Sequence, residues 1–511
     1  EFQDTNRLQY LWLKLLAGEH NAIFAVGDDD QSIYGFRGAR SGNMSDFERD
    51  FAVRKVIKLE QNYRSHGHIL DAANALIRHN RLRLGKNLWT SEGKGEPLRL
   101  YEAATDIDEA AYILEEVRAL RNEGVRLSDI ALLYRSNAQS RVLEHALFTA
   151  GIAYRVYGGL RFFERQEIKH ALAYLRLVAN PEDDGAFLRV VNFPARGIGS
   201  RTLEQLQAAA QGGGASLWQT ACANAPSGRA GASLADFVRL IEDMRAATQG
   251  LPLPEVIEHV VEASGLTSHY RTEKEGADRV ENLAELVNAG TAFAAEEGLA
   301  IYSAEAQPQE DAAQPGALEA FLAHAALEAG EHQASAGADA LQLMTVHSAK
   351  GLEFQTVFIS GLEEGLFPHE NSLNEDGGLE EERRLMYVAI TRARRRLYLS
   401  HAQTRMLHGQ IRYNIASRFF DEIPAELVRR VNTVAALAGP AGSKAAFASA
   451  FASQPTVVGG FRIGQSVNHP RFGSGVIVKA EGRGADARVQ VNFRDAGLKW
   501  LALEYARLSA A

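Results

Sequence analysis

The sequence predicts an α/β protein built on parallel sheets, and three observations lead there. Short runs of β-branched or aliphatic residues, each closed by charged or turn residues, alternate with helical stretches. Clusters of polar residues fall at the carboxyl ends of those runs, where such sheets bind ligands. Two regions break the alternation: an Ala/Leu-rich, helix-patterned stretch over 160–335, and a tail of short strands between Gly turns.

Taken in order, "NAIFAVGDDD" predicts a buried strand over 22–26 running into an acidic loop, and "RKVIKLEQNYRS" predicts a second ending in polar residues. Further strands are expected in 130–140, 341–351, 355–365 and 395–402. Helices are expected over 106–124 and 380–395. The 160–335 stretch reads as a helical insertion between strands of one α/β domain, with loops at 302–318 and 329–338, which are rich in Ala, Gln, Glu and Gly. Residues 430–458 are small-residue-rich and read as a linker. The tail after it reads as a small β-barrel.

At 511 residues the chain is too long for one core. Hydrophobic content of 46% and charge of 23% are ordinary for a globular protein. A net charge of −9 shows no global basic balance, although local arginine clusters can still bind nucleic acid. The single cysteine, Cys222, excludes a disulfide framework or a thiolate cluster. It suits a reducing compartment, and no signal peptide or membrane-length apolar run is seen, so a cytoplasmic location is expected.

Six stretches carry chemistry. They are "EFQDTN", "VGDDDQSIYGFRGA", "LEQNYRS", "YRSNAQSR", "MTVHSAKGLEF" and "YVAITRARRR", in that order. Together they resemble the later motifs of superfamily-1 DNA helicases of the UvrD/Rep/PcrA type, over essentially the whole chain. The resemblance implies RecA-like motor domains, a helical insertion domain and a Tudor-like C-terminal β-barrel. It also implies ATP and Mg²⁺ as cofactors, 3′→5′ movement on single-stranded DNA, and a role in DNA repair. The implied domains are 1–52 (end of the first motor domain), 53–158 and 337–425 (second motor domain), 159–336 (insertion), 426–458 (linker) and 459–511 (barrel).

The resemblance also assigns residues. Glu1 would orient or deprotonate the attacking water, and Gln31 suits γ-phosphate sensing because an amide both donates and accepts. Tyr34 and Phe36 would stack on bases; the family usually has Trp where Phe36 stands. Arg37 would tie its loop to DNA or to the acidic motif. Tyr63 would stack on adenine, while Arg64 and Arg392 would reach the γ-phosphate as fork-shaped cations that stay charged. Glu353 resembles the acid on the ATP ribose. Lys350 and Gly351 belong to the same nucleotide loop, where Gly permits close approach or positive φ. Thr345, His347 and Ser348 would touch DNA or relay nucleotide state, and Arg135, Asn137 and His369 would be further single-strand contacts. Gly197 and Gly199, a turn opening a helix in "FPARGIGS", would grip duplex phosphates at single-strand/duplex junctions. The barrel resembles one with which this family contacts RNA polymerase; other repair proteins are further expected partners. Arg394–Arg396 read as solvated.

One departure stands out. No G-x-x-x-x-G-K-[ST] phosphate loop is in the sequence. The chain is therefore expected to be a fragment opening inside its acidic motif, with the Mg²⁺-binding Asp and Thr before residue 1, and to be inactive alone. The alternative is a non-catalytic module that binds DNA and RNA polymerase.

Overall fold

The computed structural model describes residues 1–18, 23–81, 83–223, 228–273, 276–296, 316–330, 338–407, 410–431, 457–458, 460–482 and 487–510. The chain divides into two compact units: residues 1–139, 336–405 and 412–511 form the first, and 140–335 with 406–411 the second.

The first unit is built on parallel strands: β1 (Leu98–Thr105), β2 (Ile130–Tyr134), β3 (Leu341–Thr345), β4 (Phe354–Ile359), β5 (Ala393–Leu407) and β6 (Val428–Val431). They lie in the order β3-β2-β4-β5-β1-β6, and the pairings recorded between them are parallel. Central β2 is buried at all five positions and reads Ile-Ala-Leu-Leu-Tyr, the continuous apolar run that a strand covered on both faces requires. Its carboxyl end leads straight to Arg135, and that of β3 to Val346 and His347. Helices Gly67–Ile77 and Gly378–Ile390 pack their apolar faces on this sheet in one core with Ile33, Met344, Val357 and Leu399. Helix Asp106–Asn122 begins where Thr105 and Asp108 exchange hydrogen bonds as a capping box. The α/β class therefore holds.

The tail forms a five-stranded antiparallel sheet, with Arg488–Phe493, Gly473–Glu481 and Ser466–His469 at its middle. Alternate residues Val489, Val491 and Phe493 join Val467 and Ile477 in its small core.

The second unit is helical. Ten of the fourteen residues of helix Gln166–Ala179 are buried, and Tyr174, Phe187, Phe237 and Phe321 anchor the core around it. This unit begins at Ser140, earlier than the expected start of the insertion at 159.

Several sequence expectations fail. Residues 23–26 and 54–60 form no strand, and Phe24, Val26, Val56, Ile57 and Leu59 are exposed. Apolar content gives strand propensity, but a strand needs hydrogen-bonding neighbours; the second segment has only an isolated bridge at Gln61 to Trp89. The helix expected over 380–395 stops at Ile390, because from Ala393 the backbone extends into β5. The expected linker contains β6, whose Val428–Val431 pair with Leu98–Tyr101. Residues 317–318 and 329–330, expected as loop, belong to helix Ala317–Gly330. Residues 302–315, 331–337 and 432–456 lie outside the described residues. No described helix is long and apolar enough to cross a membrane.

Candidate functional site

Lys350 is the hub of the first cluster. Gly351 follows it at φ +87°, a left-handed conformation that turns the loop back after β3. The Lys350 ammonium donates to Asp4 Oδ1 at 2.7 Å and Oδ2 at 2.6 Å, and to the Gln31 carbonyl at 2.8 Å. Glu1 Oε2 is 3.6 Å away. The same ammonium lies 4.9 Å from the centre of the Tyr34 ring. Burial pushes the Asp4 carboxyl up, against the pull of Lys350.

The acidic loop is internally satisfied. Arg83 binds Asp30 through two bonds of 2.7 and 2.6 Å, and Asp29 accepts from the Leu84 amide at 2.8 Å. Asp28 pairs with Lys86, caps the turn through the Asp30 amide, and accepts from Gln31 Nε2 at 2.6 Å. The three aspartates hold the loop to residues 83–86, and Gln31 is oriented by Asp28.

Beyond that turn lie the rings. Phe36 is 63% exposed, and its ring meets His347 edge-to-face at 5.4 Å. The Tyr34 hydroxyl donates to the His347 carbonyl at 3.5 Å, and Arg37 lies over both rings. Gly35 donates its amide to Glu381 Oε1 at 2.9 Å, and a Cβ there would collide with that carboxylate. Burial, with Arg135 and Arg37 nearby, pulls His347 down to about 3, so its ring is neutral at pH 7. The Thr345 and Ser348 hydroxyls bond each other at 3.1 Å.

The third cluster gathers arginines. Arg64 pairs with Glu353, and Arg394 lies 3.6 Å from the same carboxylate. Arg392 is 2% exposed. Its guanidinium donates to the carbonyls of Val388 (3.0 Å) and Leu352 (3.1 Å) and to the Thr391 hydroxyl (3.1 Å). Among the described residues no carboxylate comes within ion-pair distance of it. Burial first, then the Arg64 charge, pulls Arg392 down to about 10. Tyr63, beside Arg64, is 73% exposed.

The remaining predicted residues are placed elsewhere. Arg135 grips buried Glu382 with both arms (2.7–3.1 Å), and Glu382 also accepts from the His369 amide at 3.1 Å. Asn137 opens a short 3-10 turn, and His369 caps helix Glu370–Leu373. Gly197, at φ +78°, and Gly199, the N-cap of helix Ser200–Gly213, belong to the second unit. There the Asn192 side chain accepts from the amides of Arg196 and Ile198, shaping the turn.

Sequence reading missed Arg83, Lys86, Glu381 and Glu382 as the groups that hold these motifs. Arg394, read as solvated, shares Glu353 with Arg64. Asp4 lay inside a recognised motif, and its spacing from Glu1 was the one signal on offer.

Motifs widely separated in the chain thus meet in side-chain clusters of the first unit, and the comparisons give the chain its class. The chain belongs to the UvrD-like helicases. The UvrD-like helicase C-terminal domain matches residues 57–404, the UvrD/REP helicase N-terminal domain residues 1–52, and the PcrA/UvrD tudor domain residues 463–509. Among its relatives, DNA helicase II of Escherichia coli (strain K12) is 49% identical, over 100% of this chain and 69% of that protein. DNA helicase II of Haemophilus influenzae is 44% identical (99% and 68%), and the ATP-dependent DNA helicase PcrA of Bacillus subtilis 39% (99% and 69%).

Proposed function

We propose that these residues form the arginine-bearing side of an ATP-driven motor that moves 3′→5′ on single-stranded DNA, opens duplex at junctions and serves DNA repair. Arg392 carries this reading. A buried guanidinium whose partners are all neutral, with a second cation beside it, is short of negative charge. A terminal phosphate supplies that charge, whereas water or an apolar ligand does not.

ATP fits the cluster on that ground. Arg64 and Arg392 would hold its γ-phosphate, Tyr63 its base and Glu353 its ribose, with Gln31 and Glu1 at the attacking water. Bound ATP supplies the free energy of phosphoanhydride hydrolysis. The protein's own contribution is differential binding: the two arginines favour the closed arrangement only while a γ-phosphate is present. Arg64 already pairs with Glu353, so two of the proposed nucleotide contacts are joined to each other. Mg²⁺ fits poorly. Both Asp4 oxygens are engaged by Lys350, and Asp28, Asp29 and Asp30 are satisfied by Lys86, the Leu84 amide and Arg83.

Tyr34, Phe36 and Arg37 would bind single-stranded bases, with Thr345 and His347 beside them. Arg135, Asn137 and His369 are further proposed strand contacts, and Gly197 and Gly199 proposed duplex contacts. Residues 459–511 would receive RNA polymerase.

A second reading is a non-catalytic module binding DNA and RNA polymerase. ATPase assays with and without single-stranded DNA separate the two. The motor reading expects no turnover from the 511-residue chain and DNA-stimulated turnover once a phosphate loop and its Asp precede Glu1. No turnover in either form favours the module.

A further inference from the structure

In the helical unit, two imidazoles converge on one carboxylate. His145 stands on helix Ser140–Thr149, and His324 and Glu328 stand one turn apart on helix Ala317–Gly330. His145 Nδ1 lies 2.6 Å from Glu328 Oε1, and His324 Nε2 lies 3.0 Å from the same oxygen. One donor atom from each residue lies within 4.8 Å of the other two. We propose that His145, His324 and Glu328 bind a divalent transition metal of the zinc class, joining the first and last described helices of this unit.

The donor set favours that class. Two imidazoles and a carboxylate suit Zn²⁺, Co²⁺ or Ni²⁺, whereas Mg²⁺ and Ca²⁺ prefer all-oxygen sites. Zn²⁺ bonds near 2.0–2.1 Å put tetrahedral ligand atoms roughly 3.3 Å apart. The present spacings of 2.6 and 3.0 Å would have to open by about 0.7 and 0.3 Å. A helical pair at i and i+4 presents both ligands on one face, as in zinc-binding helices.

The surroundings support ligation. The cleft is walled by Phe163, Phe293 and Phe321, which limit competing water. Its other cation, Arg141, is paired with Glu285, so its charge is offset. Arg161 donates to the Glu328 carbonyl at 3.2 Å and fixes the end of the helix.

The test uses the full chain without an affinity tag, stripped with chelator and titrated with ZnCl₂ by calorimetry, with MgCl₂ as control. One Zn²⁺ per chain, no comparable Mg²⁺ heat and a raised melting temperature are expected. His145→Gln, His324→Gln and Glu328→Gln should each weaken Zn²⁺ binding by about tenfold or more. Absence of saturable Zn²⁺ binding, or variants that bind as the parent does, overturns the proposal. If a variant fails to fold, X-ray absorption of the zinc-loaded parent decides: two imidazoles plus oxygen support the site, and all-oxygen or Cys222 sulfur ligation refutes it.

Discussion

Two arginines, both largely shielded from water, stand at opposite ends of the same strand, and their surroundings are opposite too. Arg405, near the carboxyl end of β5, is held by Glu363 (Nε to Oε2 at 2.8 Å) and by Glu109. Burial works against its charge, but the two carboxylates outweigh that and raise it well above an ordinary arginine. Arg392, just before β5, has only carbonyls and a hydroxyl, and is pulled down to about 10. A structural cation is neutralised within the fold. One left without a carboxylate partner among the described residues is open to an anion from outside, and this contrast supports the proposed role of Arg392 independently of the motifs.

Substitutions at these two positions are the sharpest way to break that contrast. In a chain that carries a phosphate loop, Arg392→Ala should lower DNA-stimulated ATP turnover by about 10³-fold or more. Its urea midpoint should change little; equal losses in turnover and stability would erase the distinction. Arg405→Met should instead destabilise the fold by about 3–5 kcal/mol in denaturant unfolding, because two buried carboxylates lose their cation. Adding Glu109→Gln and Glu363→Gln should restore much of that loss, and no recovery would show that Arg405 acts by packing alone.

Smaller effects sharpen the picture. Lys350→Met removes charge-assisted hydrogen bonds of about 1.5–3 kcal/mol, and should weaken the response of ATPase to DNA more than basal turnover, read from paired assays. His347 has a folded pKa of about 3, below its unfolded value of about 6.5, so the folded state binds fewer protons across that window. Its contribution to stability is present above about pH 6.5 and is lost as pH falls towards about 3. His347→Gln should therefore flatten the acid limb of a stability–pH curve relative to the parent. Smallest of all, Phe36→Trp should tighten single-stranded DNA binding by a fraction of the roughly 1–3 kcal/mol a stacked base supplies, measured by fluorescence anisotropy.

What the sequence made legible follows from range. Local signals served well: the alternation behind the parallel sheet, the all-apolar β2 and the Gly-punctuated tail were visible because each is set within a few residues. Pairing was not visible. Ile57 and Leu59 look like strand residues but are exposed, whereas Val428–Val431, with two arginines and a small-residue run after it, completes a sheet. The supporting groups of the site were hidden for the same reason. Arg83 lies 53 residues from Asp30, and Glu381 lies 346 residues from Gly35, distances at which no spacing rule operates. Roles drawn from resemblance named Arg64 and Glu353 separately and gave no hint that the two would be found paired.

The single ammonium of Lys350 has a wider consequence. It touches a carboxylate of the acidic motif, the backbone beside the glutamine, and the face of an aromatic ring in the proposed strand-binding surface. One side chain therefore joins the proposed nucleotide side to the proposed strand side. Thermodynamic reciprocity then applies: whatever a bound strand does to the charge balance at Asp4, charge arriving at Asp4 must do, in equal measure, to the grip on the strand.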